Sequence, residues 1–468
     1  MTDRSDNRVV IAGSGVAGAA AACDLRGRGF DVWILELPRL RPARGVEAIP
    51  AVTIAALREL GLEACLARAG ATASHGFDNA WRTPPRVLDG LWAYFERDAF
   101  ARALRDEAIA RGAHVVAVDR IPPLTRCSIT GGYRWQLAGL PTTARTAIDA
   151  TGRAAVWSRP LARHAPSVAA LFRGPGSPCP RRGRITRTAD GWAYALFHPD
   201  ATTVGIVSPA ARPGHPRTIS DDLAHELALP SLAEFRPERR CAAHAQWAAT
   251  PATLTADHAR FAIGDAALAY APLAGQGLRF AIASAAAAAA CTDTCRAARR
   301  LSPGHLAAAA HYDEPFAASA RRRHLAELDA AALYYEEFAT GARRRHLAHL
   351  AHLTQPDALD ARAPDPAPAL ATNVPLQFAA EIAATGVRRG PRIVPEAGLR
   401  LADGELVRCL GAFDLLALRA LARAPSPPHQ LHATLCAHGL DPAHADAVLR
   451  WCVARGVLAP APTPPAPR

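Results

Sequence analysis

The chain has 468 residues, enough for two or three domains. Half of them are hydrophobic and 21% are charged, which excludes an intrinsically disordered chain. The 54 basic residues outnumber the 42 acidic ones for a net charge of +12, and every one of the 54 is Arg. Without Lys, Schiff-base catalysis, a P-loop phosphate site and Lys-assisted halogenation are all ruled out.

No apolar run approaches the ~20 residues that cross a bilayer, and MTDRSDNR at the start lacks the apolar core of a signal peptide. The expectation is a cytoplasmic protein with no membrane partner. Ten Cys are scattered along the chain without a CxxC pair. Cys291 and Cys295, four apart on an Ala-rich helix, read as small packed residues, so no metal site is expected.

In chain order, RVVIAG (8–13) is an apolar strand ending in Gly. SGVAGAAAACDLRGRG (14–29) is helical, and FDVWILE (30–36) is a second strand. RDAFARALRDEAIARG (97–112) predicts a helix with a Gly stop, and AHVVAVD (113–119) a strand. Residues 133–150 predict a hairpin feeding a short buried strand, and 168–210 alternate strand and turn signals. From 278 to about 352 the pattern is helical and rich in Ala and Arg.

The Pro-rich run 356–375 reads as a linker and 459–468 as a disordered tail. Between them, 391–458 predicts a short hairpin and three helices, which resembles a winged-helix module. Its segment to the C-terminus carries eight Arg against six acidic residues, a weak charge for a nucleic-acid face. Protein contact is the expectation there, and nucleic acid is not.

The chemistry begins at Gly13-x-Gly15-x-x-Gly18, with Val16 and Ala17 inside it. This pattern follows a strand and opens a helix, and Glu36 closes the next strand 23 residues after Gly13. Gly13 makes the tight turn, Gly15 admits a diphosphate to the backbone amides, and Gly18 lets the helix pack on the sheet. Glu36 can accept hydrogen bonds from an adenosine ribose. Two later segments, AIDATGR (147–153) and RFAIGDAALAYAPLAGQGLRFAIASA (260–285), separate FAD from NAD. Asp265, after Gly264, would bind the ribityl chain. Beyond Pro272, the amides of Gly275, Gln276 and Gly277 at a helix start would face the flavin.

The ordered set GSGVAG, Glu36, Arg97 in FERDAFARAL, DATG and GDAALAYAPLAGQG resembles the FAD-dependent monooxygenases, halogenases and geranylgeranyl-reductase-like flavoproteins. The likeness covers about 350 residues. It implies an α/β fold: a Rossmann-type FAD-binding domain at 1–165 and 255–300, an inserted antiparallel-sheet substrate domain at 166–254, a helical segment and linker at 301–390, and the C-terminal module. It implies that Arg97 contacts FAD and that Arg44, Glu47 and Pro50 lie beside the isoalloxazine. Many relatives have Asp before the Pro of the Gly-rich turn; here that residue is Ala271.

Relatives that bind nicotinamide directly carry an Asp-Gly motif where this chain has DATGR, so electrons from NAD(P)H arrive either directly or through a separate flavin reductase. GWAYALF (191–197) is similar to a degenerate halogenase WxWxIP block that keeps Trp192 and Tyr194. The halogenase Lys would fall near HGFDNAW (75–81), which has none. The narrower resemblance is to flavoproteins that hydroxylate Trp in the precursors of tryptophylquinone enzymes such as quinohemoprotein amine dehydrogenase. These share the GWxY strand, the GDAALAYxPLxGQG turn and a YY…F…RR segment, here Tyr334, Tyr335, Phe338, Arg343 and Arg344.

The implied reaction is hydroxylation of an aromatic ring through a flavin C4a-hydroperoxide, with a Trp side chain in a peptide or protein precursor as the candidate target. Glu47, His75, Asp78 and His198 are candidates for base or orienting group, and Trp192 and Trp81 for stacking on the ring. Two near-identical Arg-rich stretches, 321–328 and 343–350, would share one helix face, as a solvated surface or as a docking strip for an acidic peptide. The competing expectations are a geranylgeranyl-reductase-type reductase and a non-enzymatic flavoprotein redox switch.

Overall fold

The fold was read from a computed structural model. It describes residues 7–38, 45–80, 86–129, 132–139, 143–164, 167–177, 181–189, 191–210, 218–230, 232–248, 250–255, 258–272, 276–300, 329–332, 334–336, 338–344, 374–389, 392–401, 405–410, 413–422 and 424–461. The chain divides into two compact units, Met1–Arg299 and Arg300–Arg468.

The first unit opens with β1 (Arg8–Ala12), α1 (Val16–Gly27) and β2 (Asp31–Glu36), followed by β3 (Val46–Pro50), α2 (Ala51–Glu59) and α3 (Ala64–Arg68). Then come β4 (Thr72–Asn79), β5 (Arg86–Glu96), α4 (Arg97–Ala110) and β6 (His114–Ala117). A meander of β7 (Leu124–Ile129), β8 (Gly132–Leu137) and β9 (Thr143–Ala144) leads into β10 (Thr146–Asp149). The chain continues through β11 (Pro160–His164), β12 (Ser167–Gly174), β13 (Gly183–Thr188), β14 (Gly191–His198), β15 (Ala201–Pro209) and α5 (Asp221–Glu226). It closes with β16 (Arg236–Ala242), β17 (Ala245–Ala248), β18 (Ala252–Leu254), β19 (Ala259–Ala262), β20 (Leu268–Ala269) and α6 (Gln276–Arg300).

A six-stranded sheet runs β18-β19-β10-β1-β2-β6. Its five strands from β19 to β6 are parallel, and β18 is an antiparallel edge. Such a sheet is covered on both faces, and the strands accordingly read as unbroken apolar runs: Val9 to Ala12 and Ala147 to Ile148 are fully buried. Helix α1 is a run of small residues, which combines high helix propensity with close approach to the sheet. In α6, Ala285 and Ala287 to Cys291 are at most 2% exposed, and Cys291 and Cys295 are packed residues of this helix as expected.

The second sheet differs from the sequence expectation in extent and direction. It has eight strands, β16-β12-β15-β14-β13-β4-β5-β3. It is therefore not confined to 166–254: three strands come from 46–96. It is not wholly antiparallel either, because Gly183–Ile185 pair in parallel with Phe77–Asn79. The physical reason is the crossover: β4 and β13 are separated by about 100 residues of chain, so no hairpin dictates an antiparallel pair. One face of this sheet buries Ala170, Phe172, Ala193, Ala195, Phe197, Val204 and Ile206 against α5 and the segment after it. The other face carries Trp192, Ile185, Leu171, Tyr194 and Cys241.

The second unit contains a strand Leu376–Phe378 paired with Leu458–Pro460, and a long hairpin of Glu381–Arg389 with Arg392–Arg400. Three helices follow: α7 (Ala417–Leu421), α8 (Pro428–Ala437) and α9 (Pro442–Ala454). Three helices with a small β element match the sequence expectation, but the module begins before 391, and 459–460 are strand and not tail. Its core holds Leu399, Leu415, Leu418, Leu431, Leu449 and Cys452. Tyr335 is fully buried and its ring lies 6.1 Å from that of Phe338. The linker 356–373, the stretch 321–328 and all but Arg343 and Arg344 of the second Arg-rich stretch lie outside the described residues.

The turn after β10 is organised by one carboxylate. Asp149 is fully buried. Its Oδ1 accepts from the Thr151 N–H at 3.1 Å and the Thr151 hydroxyl at 2.6 Å, and its Oδ2 from the Trp157 and Ser158 N–H groups, each at 2.8 Å. Asp149→Asn replaces one acceptor oxygen with an NH2 group facing buried N–H donors. The expected loss is about 3 kcal/mol, measured by urea unfolding; an unchanged midpoint would show that the turn is held by other contacts.

Candidate active site

Three turns meet at the carboxyl ends of the parallel strands. At the first, Gly13 has φ +103, and a Cβ there would lie 2.4 Å from the Ala150 carbonyl oxygen in the second turn. A Cβ on Gly18 would lie 2.0 Å from the Gly13 oxygen, while a Cβ on Gly15 would meet nothing within 4 Å. Gly13 and Gly18 are therefore small because protein fills the space, and Gly15 borders open space at the start of α1. That is the arrangement by which a helix N-terminus and bare backbone receive a diphosphate. Val16 and Ala17 are nearly buried in the first turn of α1. The third turn closes on them: Gly264 has φ +56, and a Cβ on it would lie 2.8 Å from Ala17 Cβ.

Glu36 ends β2 beside this turn. Its Oε1 accepts from the Ser14 hydroxyl at 2.5 Å and Arg105 Nε at 2.9 Å, and its Oε2 from Arg105 Nη2 at 2.7 Å.

Farther along, Arg97 opens α4 and its Nη1 lies 2.6 Å from Glu47 Oε1 on β3. The backbone holds this pair in place. The Arg97 N–H donates to the Gly45 carbonyl at 3.0 Å, and the Val46 N–H donates to Thr203 Oγ1 at 2.8 Å. Asp265 follows Gly264, with Arg153 Nε 3.8 Å from its Oδ2. Arg153 also donates to the carbonyls of His244 at 2.6 Å and Tyr270 at 3.0 Å. Burial pushes the Asp265 carboxyl above its ordinary range, against the opposing pull of Arg153 and Arg97. The Glu47 carboxylate raises Arg97. Burial also raises Tyr194, with Glu47 adding to the effect.

The Arg97 and Asp265 side chains are 44% and 33% exposed, so both pairs are reached by solvent. Tyr194 faces the same charges from β14, with its ring 5.6 Å from Trp192. Gly205 on β15 clears room for that ring: a Cβ there would lie 2.2 Å from it. The charged groups Glu47 and Arg97 therefore stand near Tyr194, on the face of the eight-stranded sheet that also carries Trp192, and Asp265 and Arg153 pair beside them. Gln276 and Gly277 start α6, and Pro272 is exposed just before it.

The remaining predicted residues are placed differently. His75 is exposed, and its carbonyl accepts from Arg182 Nε at 2.8 Å. Asp78 lies 3.7 Å from Arg182 Nη1. Both residues thus meet Arg182. His198 is 2% exposed. Its Nε2 sits 3.0 Å from the Gly70 carbonyl and its Nδ1 accepts from the Asp200 N–H at 3.3 Å, so both ring nitrogens serve packing. Arg44, Trp81 and Gly275 lie outside the described residues. Sequence reasoning missed Arg105, which carried only a helical pattern. It also missed Arg153, although that residue stands in the DATGR segment it had singled out.

No family model matches the chain, and no curated protein matches it. Solved structures do. One is a peptidyl tryptophan dihydroxylase, QhpG, essential for tryptophylquinone cofactor biogenesis: TM-score 0.57, 22% identity, covering 96% of this chain and 99% of that one. Another is CmlS, a flavin-dependent halogenase: TM-score 0.61, 18% identity, covering 97% and 96%. At these identities the likeness shows a shared fold, with parallel and antiparallel sheets arranged as in flavin-dependent hydroxylases and halogenases. No group of three metal-ligating side chains occurs among the described residues, and no helix there is long and apolar enough to cross a membrane.

The second and third glycines of the fingerprint give a direct test of the cradle. Gly15→Ala is expected to leave thermal unfolding of the apoprotein unchanged and to weaken FAD binding by about tenfold, while Gly18→Ala destabilises the fold itself. Differential scanning fluorimetry and flavin fluorescence quenching separate the two. Equal losses of stability would mean that Gly15 borders protein and not a ligand.

Proposed function

We propose that the chain is an FAD-dependent monooxygenase that hydroxylates an aromatic ring, with a Trp side chain in a peptide or protein precursor as its target. The observation that carries this is the meeting of the Gly-rich and Asp265 turns at the strand ends, with the Glu47–Arg97 pair near the Trp192–Tyr194 face of the second sheet.

FAD fits the residues present. The β1–α1 turn would hold the diphosphate, Glu36 the adenosine ribose, and Asp265 the ribityl chain. Gln276 and Gly277, at the positive end of a 25-residue helix, would meet the flavin edge where negative charge accumulates on reduction. Bound there and reduced, FAD supplies the electrons that activate O2 for insertion into a carbon–hydrogen position.

The chain's own residues do the rest. Trp192, Tyr194, Leu171 and Ile185 present an apolar surface that excludes water and against which a flat ring can lie. Glu47 is the carboxylate turned toward that surface, and we assign it the ring proton, with Arg97 as its counter-charge. Arg97 and Arg153 add positive charge near the reduced cofactor. With no Lys in the chain, the halogenase version of this chemistry lacks its amine, which favours the hydroxylase. The dihydroxylase and the halogenase match over nearly the whole of each chain alike, so the choice between them rests on the missing amine. Electrons come from NAD(P)H directly or through a separate flavin reductase.

The test supplies the holoprotein with reduced flavin, O2 and Trp-containing peptides and follows product by mass spectrometry. One or two added oxygen atoms on Trp are expected, and Glu47→Gln should slow their appearance by about a hundredfold while flavin binding holds. Halogenated product in the presence of chloride or bromide, or peroxide release alone with every aromatic peptide, would contradict the proposal.

A further inference from the structure

Arg105 has no place in the proposed chemistry, yet it grips the carboxylate at the nucleotide end of the cradle with two hydrogen bonds. It stands in the third turn of α4. Its Nε and Nη2 meet the two oxygens of Glu36 at 2.9 and 2.7 Å. The Ser14 hydroxyl, between Gly13 and Gly15, donates to Glu36 Oε1 at 2.5 Å. One carboxylate thus ties together the Gly-rich turn, the end of β2 and α4. Arg105 and Glu36 are both partly exposed, at 31% and 21% of their side chains, so the pair borders solvent.

A lone carboxylate on a strand end can rotate about its terminal torsion, and an exposed one spends most of its time solvated. A guanidinium fork removes that freedom, because two parallel N–H···O bonds fix the carboxylate plane as well as its position. Lys cannot do the same, since a point charge leaves the plane free to turn.

We propose that Arg105 is the positioning residue for the adenosine half of the cofactor, and that through Glu36 and Ser14 it makes the cradle select the dinucleotide FAD over the mononucleotide FMN. The proposal rests on the FAD reading above. FMN carries the isoalloxazine, the ribityl chain and one phosphate, so it can use Asp265 and the Gly-rich turn but has no adenosine ribose for Glu36 to receive. A contact that acts only on the adenosine half must therefore appear in FAD affinity and be silent in FMN affinity. A residue that merely holds α4 on the sheet would change both.

The experiment measures FAD and FMN dissociation constants by flavin fluorescence quenching for the full-length apoprotein and for Arg105→Leu and Arg105→Lys, with far-UV circular dichroism as the folding control. Arg105→Leu is expected to weaken FAD by about tenfold or more and to leave FMN within twofold, with Arg105→Lys in between. Equal losses for both flavins, no loss for either, or full rescue by Lys would overturn the proposal. If Arg105→Leu fails to fold, the Lys variant decides alone: an FAD loss with FMN unchanged supports the proposal, and parent-like affinities refute it. A parent chain that binds neither flavin removes the FAD reading and this inference with it.

Discussion

The architecture depends on the close approach of three turns at the ends of β1, β10 and β19. The Gly13 position touches the Ala150 carbonyl, Gly18 touches Gly13, and Gly264 touches Ala17, each closer than a Cβ allows. These contacts bring the N-terminus of α1 and the Asp265 turn to one place. Of the three fingerprint glycines, Gly15 is the one with open space about it, where backbone amides can reach a ligand. Asp149 locks the second turn with four hydrogen bonds, so the cradle is rigid before any ligand arrives. A preformed backbone site loses little conformational freedom on binding, which matters when the ligand is long and flexible.

The second constraint is electrostatic. A chain without Lys meets every requirement for positive charge with guanidinium groups, and each such group inside this protein arrives with geometry attached. Arg105 forks onto Glu36, Arg97 pairs with Glu47, and Arg153 spans Asp265 and two backbone carbonyls. Arg stays charged in surroundings where a Lys amine would lose its proton, so these three groups keep their positive charge. The carboxylates there are correspondingly paired: Glu47 is tied to Arg97, which is why it can face an apolar sheet without being an isolated buried charge.

Much of the first sheet was legible because local signals and tertiary demands agree there. An apolar run, a Gly-x-Gly turn, an Ala-rich helix and a terminal Glu each say the same thing as the fold. The second sheet was only partly legible. Strands at 168–210 announce themselves by alternation, but β3, β4 and β5 join that sheet from far upstream, and nothing local states which partner a strand will take. The site shows the same division. Gly13, Gly15, Gly18, Arg97 and Asp265 stand at turns and element ends that backbone motifs mark in the sequence. His75, Asp78 and His198 were named for their chemistry alone, and their partners prove to be Arg182, Gly70 and Asp200. Arg105 and Arg153 matter through pairings across 69 and 112 residues, which one sequence does not display.

The measurement that tests the central claim most directly is anaerobic reconstitution of the full-length protein with FAD, followed by titration with NADH, NADPH and separately reduced flavin under visible absorbance. The account predicts one FAD per chain and a perturbed flavin band. It also predicts that the band bleaches with nicotinamide or a reductase and reappears on admission of O2, with oxygen transferred when an aromatic peptide is present. A protein that takes up no flavin, or whose reduced flavin is indifferent to O2, would contradict it.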